Sequence, residues 1–188
     1  AGDGGSTPRP ELSIPSLLAP LRDPIADAAA GLVWLILLNK PFYPFYVWWI
    51  TGHGLGPAFF CCLSVPFFAS LLVLRRRDPL WLLAGLPLVG ILDTAFETKL
   101  FGEASGAALF FVPCALLTAL LVPRRAYRLS WGLSGLLLAL AVGLRGSYGQ
   151  ALYLWREAEL AGLFSLNLVS AACLSFFILI RFAQIKTA

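Results

Sequence analysis

An all-α integral membrane protein is the fold class this sequence predicts: six transmembrane helices in one bundle, short loops, both termini on the inner side. Three observations lead there. Hydrophobic residues make up 59% of the 188 and charged residues only 13%, where soluble domains carry about 45–50% and about 25%. Six apolar stretches follow one another: Ile25–Leu38, Phe45–Leu74, Pro79–Phe96, Ala104–Val122, Leu129–Leu144 and Leu160–Ile180. The basic residues are also sorted. If each stretch crosses once and the N-terminus starts inside, the inner segments hold Arg9, Arg22, Arg75, Arg76, Arg77, Arg124, Arg125, Arg128, Arg181 and Lys186. The outer turns hold only Lys40, Lys99, Arg145 and Arg156. Positive charge resists translocation, so this bias sets the orientation.

The domain organisation follows by subtraction. A span needs about 20 apolar residues, so six of them with short turns consume nearly the whole chain and leave no soluble domain. Residues 1–24 are expected to be a disordered or interfacial N-terminal segment, 25–181 the membrane domain and 182–188 a tail. Ala1–Pro10 is rich in Gly and Pro and lacks a core-forming pattern. Glu11–Leu21 carries Leu12, Ile14, Leu17, Leu18 and Leu21 and reads as a short surface helix, against which Pro15 and Pro20 count. The net charge of +4 comes from membrane-flanking arginines and is no signature of nucleic acid. The expected setting is a bacterial inner membrane or a eukaryotic endomembrane.

Taken in order, the first stretch is short unless Lys40 snorkels to the outer surface. Its Ala26 and Ala30, four apart beside Gly31, give a small-residue face suited to close helix packing. The second stretch has 30 residues without a formal charge, about 45 Å as a helix against a hydrocarbon core of about 30 Å. Gly52-His53-Gly54-Leu55-Gly56-Pro57 supplies a break. The aromatic run Phe42, Tyr43, Phe45, Tyr46, Trp48, Trp49 then reads as an entry segment at the outer interface, and the span proper starts near Pro57. Those rings serve either as interfacial anchors or as walls of a groove for a lipophilic ligand. The fourth and fifth stretches read as scaffold. Trp81-x-Leu83-x-Gly85-Leu86 echoes Trp131-x-Leu133-x-Gly135-Leu136, a match that a Leu- and Gly-rich chain produces cheaply.

Depth places the chemistry. Asp93 lies 14 residues beyond Pro79, about 21 Å along the third helix. Glu97 follows one turn later on the same face. Asn167 stands 13 residues from Ile180, about 20 Å from the inner end of the sixth. His53, the single histidine, and Asn39 close the outer ends of the second and first stretches. A carboxylate in hydrocarbon is expensive and marks function or a buried pair by default. Two carboxylates one turn apart repel when both are ionised, which separates an acid from a base on one face. With His53 they form a candidate catalytic set of Asp93, Glu97 and His53 suited to isomerisation, cyclisation or hydrolysis of a lipophilic substrate. Asn39, Trp48, Trp49, Tyr148, Tyr153 and Asn167 are the candidate substrate-binding residues, with Asn167 the natural partner of Asp93. The competing reading puts both carboxylates in headgroup water beside Lys99. The segment Arg145–Glu159 is either a lid over the cavity or a solvated turn with internal Arg–Glu pairs.

No metal or cofactor is expected. One histidine cannot supply two axial haem ligands or a multi-histidine metal site. No G-x-S-x-G, H-E-x-x-H or P-loop pattern occurs, and no lysine is expected mid-span for a retinal Schiff base. The cysteines Cys61, Cys62, Cys114 and Cys173 lie inside predicted spans without a C-x-x-C pair and read as small packing residues.

The run Tyr148-Gly-Gln-Ala-Leu-Tyr-Leu-Trp-Arg-Glu157 resembles a stretch of the emopamil-binding sterol isomerases, multi-span proteins that do acid/base chemistry on a lipid ring. Asp93-x-x-x-Glu97 is similar to a His-x-x-x-Glu pair of that family. Asp stands at 93 where the family has His, Gln150 stands where it has an acidic residue, and the intervening segment is much shorter. The resemblance covers some fifteen residues and implies a reaction type.

Three functions compete on the sequence. The first is a membrane-embedded acid/base enzyme acting on a lipophilic small molecule or lipid from an outer-leaflet cavity. The second is a transport subunit resembling the substrate-capture components of vitamin transporters, docking through the Ala26/Ala30 face. The third is a non-catalytic subunit of a larger membrane complex, or of a homo-oligomer. The topology itself is testable by thiol labelling of Arg76→Cys, Glu103→Cys and Ala126→Cys in a background without the native cysteines. Positions 76 and 126 should react from one side and 103 from the other; labelling of 103 and 126 from the same side would reject it.

Overall fold

The computed structural model describes residues 24–122 and 126–187. The expected N-terminal segment, its surface helix, and Arg9, Arg22, Arg124 and Arg125 lie outside them. Of the described residues 86% are helical and none is in a strand. The elements are α1 (Pro24–Asn39), a 3-10 turn (Lys40–Phe42), α2 (Tyr43–Thr51), α3 (Leu55–Ala58), a 3-10 segment (Phe59–Ser64), α4 (Val65–Leu74), α5 (Pro79–Phe101), α6 (Phe111–Leu121), α7 (Tyr127–Leu138) and α8 (Glu157–Thr187). Four helical runs are long and apolar enough to cross a membrane: Pro24–Thr51, Leu55–Leu74, Pro79–Phe101 and Glu157–Ile185. Ala107–Leu121 and Tyr127–Gly143 are shorter apolar helices. The set is compatible with a membrane protein.

Local chemistry explains the boundaries. Asp78 caps α5, its Oδ1 accepting from the Leu80 amide at 2.8 Å, and Pro79 fills the first position, where a missing N–H costs nothing. Pro41 and Pro44 lack the amide a continuous α-helix needs, so the backbone tightens to 3-10 over Lys40–Phe42 before resuming as α2. The turn comes later, where Gly52 and Gly54 take φ of 73° and 76°, a region other residues enter only with strain.

That placement corrects the expected division of the chain. The aromatic run continues the first helix instead of leading into the second, and Lys40 lies within the 28-residue run Pro24–Thr51. The physical reason is that the charge of Lys40 is neutralised internally, so it need not end the helix at the surface. A lysine therefore does sit mid-run, contrary to the sequence-based exclusion.

The bundle alternates. At one end Ala26–Val33 of α1 meets Phe68 and Leu71 of α4, Leu82 and Leu86 of α5, Leu117 and Leu121 of α6, and Ile178 and Phe182 of α8. Arg75, just beyond α4, pairs there with Asp27. The other end gathers Val47, Ala58, Cys61, Leu100, Phe101 and Leu163. Ala26, Ala28, Ala29 and Ala30 are buried inside the chain, so the face considered for docking a partner is already filled. Helix α8 runs on to Thr187, through most of the expected tail.

A Cβ on Gly54 would meet the Trp155 ring 2.5 Å away, in addition to its positive φ. Gly54→Ala should cost about 1–3 kcal/mol, read as a lowered thermal midpoint in detergent; Gly56→Ala, whose Cβ meets nothing within 4 Å, is the neutral control.

Candidate functional site

Three charged side chains meet inside the bundle. Lys40 Nζ donates to Glu97 Oε1 at 2.8 Å and also to Asp93 Oδ2. The ammonium is 10% exposed and each carboxylate 11%. The geometry follows from element positions. Lys40 is 16 residues beyond Pro24 and Asp93 14 beyond Pro79, so both stand about 21–24 Å along helices that start at the same end. The i, i+4 spacing of Asp93 and Glu97 sets both carboxylates on one face of α5. Lys40 was assigned to an outer turn from the sequence. The signal that could have found it was charge: two buried carboxylates need a cation at their depth.

The cluster lies in the wall of a cavity of about 630 Å³ lined from α1, α2, α4, α5, α6 and α8, a size typical of small-molecule sites. Its polar groups are Lys40, Asp93, Glu97, Asn39, Tyr43, Tyr46, Thr94, Ser170 and the thiols of Cys114 and Cys173; the rest is apolar. Lining residues that are also exposed mark the mouth: Leu35, Tyr46, Val169 and Phe177, with Asn39 and Cys173 among them. The opening therefore lies on an apolar surface between α1–α2 and α8.

The expected site residues separate into two groups. Asp93, Glu97 and Asn39 line the cavity. Asn167 is 1% exposed and reaches the cavity through Tyr43, whose hydroxyl donates to Asn167 Oδ1 at 2.8 Å. The Asn167 amide donates in turn to the Ser105 carbonyl at 2.9 Å. Asn167 is thus the partner of Tyr43 and not of Asp93, which takes the ammonium instead because a charged partner compensates a buried carboxylate better than an amide does. Lys99 is not beside the carboxylates either; it donates to the carbonyls of Tyr148 and Gln150.

His53, Tyr148, Tyr153, Trp48 and Trp49 do not line this cavity. His53 Nε2 faces Glu159 Oε1 at 2.7 Å, its Nδ1 lies 3.2 Å from the Tyr153 hydroxyl, and its ring stacks on Trp155. The segment 144–156 is fastened down by Lys99, by Glu103 accepting from the Gly146 amide, and by Leu152 and Tyr153 amides on the Lys99 and Leu100 carbonyls. It is a strap across the ends of α2, α5 and α8. Tyr148 donates to the Leu140 carbonyl at 2.9 Å; burial first, then the Glu103 carboxylate, raise its phenol above the ordinary pKa. Trp48 and Trp49 point outward, Trp49 at 86% exposure.

Among the described residues no three His, Cys, Asp or Glu side chains gather to hold a metal. No protein-family model, curated protein or solved structure matches this chain significantly.

The cluster makes a stability prediction of definite sign. Lys40→Met leaves two buried carboxylates without their cation and should cost about 3–5 kcal/mol, whereas replacing all three residues by apolar ones of similar size should recover most of that. Unfolding of the purified variants in mixed micelles decides it: a Lys40→Met midpoint equal to the parent's would mean that the pair is solvated.

Proposed function

We propose that this is a multi-pass membrane protein of six spans, both ends on the inner side, which admits a lipophilic small molecule or lipid sideways from the bilayer and acts on it by acid/base chemistry. The observation that carries the reading is the charged cluster Lys40, Asp93 and Glu97 in the wall of a mostly apolar cavity whose mouth is bordered by Leu35, Val169 and Phe177 as well as Asn39, Tyr46 and Cys173. Buried ionisable groups in a span are costly and are retained for function. The topology is supported by the sorted basic residues and by the alternation of the bundle. Tyr127–Gly143 has 17 residues and Ala107–Leu121 has 15, about 26 and 22 Å, which suits spans that thin the bilayer locally.

In this reading one carboxyl of the Asp93/Glu97 pair gives a proton to the substrate and the other takes one. An isomerisation then returns the cluster to its starting charge. Lys40 holds both carboxylates in register and follows the charge as it moves between them. His53, apart from the cavity, has no part in the step; it secures the strap. Of the alternatives set out from the sequence, transport fits a cavity open to bulk water, and an accessory subunit fits a solid core. The mouth between α1–α2 and α8, opening on an apolar surface, favours the enzyme.

Mass spectrometry of lipids extracted with the purified protein is the first test, and a defined hydrophobic species enriched over the bulk lipid is the expected result. Asp93→Asn should keep the fold and lower retention of that species about ten- to hundredfold, the worth of one hydrogen bond to a charged group. Retention unchanged in Asp93→Asn and in Glu97→Gln would reject the cavity as the site.

A further inference from the structure

Asp93 borders a second cavity. On the face of α5 adjoining the main site, a groove of about 290 Å³ lies between Leu63 and Ser64 of the 3-10 segment with Phe67 of α4, and Leu92, Asp93 and Phe96 of α5. Asp93 is the residue common to both cavities. Leu63, Phe67 and Leu92 are exposed at 57%, 62% and 52%, so this cavity also opens on an apolar surface, away from the mouth formed with α8.

Its polar groups are all acceptors. The Ser64 hydroxyl spends its hydrogen on the Cys61 carbonyl at 3.2 Å, which leaves only lone pairs toward an occupant. Asp93 gives Oδ2 to Lys40, and its Oδ1 is buried without a partner among the described residues. An unsatisfied buried acceptor is costly, and the terminal torsion of an aspartate is soft. A donor seated in the groove would reach Oδ1 through a turn of the carboxylate about that torsion.

We propose that this groove is a second lipophile site, selective for a single apolar chain that ends in a hydroxyl donor, with Asp93 Oδ1 and Ser64 Oγ as the acceptors that recognise it. An ether or ester head has no hydrogen to offer and is refused. A neutral donor suits the site because Lys40 already sits on the same carboxylate. The proposal does not depend on the chemistry assigned to the main cavity.

The test uses the full-length protein in nanodiscs with a diazirine-bearing hexadecanol, its methyl ether and the corresponding alkane, and maps crosslinked peptides. The alcohol should label peptides containing Leu63–Phe67 and Leu92–Phe96 about tenfold more than the ether does, the worth of one charge-assisted hydrogen bond. Leu92→Trp, which fills the groove, should abolish that labelling and leave labelling at Val169–Cys173 unchanged. Equal labelling by alcohol and ether, or uniform labelling around the bundle, overturns the donor-selective site. Loss of labelling at Val169–Cys173 alone counts against the main-cavity function and leaves the groove standing.

Discussion

The structure depends on one lysine held between two carboxylates in an apolar interior. Each of these charges, alone, costs several kcal/mol to bury, so their meeting is a constraint on everything that carries them. Lys40 fixes the height of α1–α2 against α5, because a shift of one turn would part it from Asp93 or from Glu97. The pair Arg75 with Asp27 ties α1 to α4 at the far end. Between these two fixed heights the alanines of α1 can lie against α4, α5 and α8 with almost no exposed surface.

The same constraint explains why the two ends of the bundle are built differently. At the α1 start, small and branched apolar residues interlock, and packing alone holds the helices. Between Leu86 and the charged cluster the helices part enough to leave a cavity, and above the cluster cohesion passes to specific polar contacts: Tyr43 on Asn167, Asn167 on Ser105, and the strap of residues 144–156. Trp155 of that strap stacks on His53, and Gly54 exists as glycine because the Trp155 ring occupies the place of its Cβ.

Much of this was legible in the sequence. The six apolar stretches correspond to four helical runs long enough to cross a membrane and two shorter apolar helices, and the spacing of Asp93 and Glu97 placed both in one cavity wall. What failed was the treatment of Lys40 as a surface residue. Hydropathy averages each residue with its chain neighbours, and Lys40 follows an apolar run beside two prolines, which reads as an end. Its true partners are 53 and 57 residues away, beyond any local pattern. His53 was misjudged because the helix of Lys40 runs on through Thr51, which carries His53 past the depth of the carboxylates to Glu159 and Trp155. Asn167 was read to the right depth but given the wrong partner, because Tyr43 was grouped with the aromatic run at the outer interface.

A carboxylate reached from two sides is a different object from one in a single pocket. Asp93 cannot be satisfied by Lys40 alone, since the ammonium is shared with Glu97 and engages only one of the two aspartate oxygens. The residual demand of Oδ1 is directed by whichever cavity offers a donor. In the site proposed above, an occupant of the groove would take Oδ1 while Oδ2 stays with Lys40. Asp93 is the side chain common to both cavities, so any coupling between their occupants would pass through it. Such a coupling would be reciprocal by linkage and bounded by the one hydrogen bond that carries it.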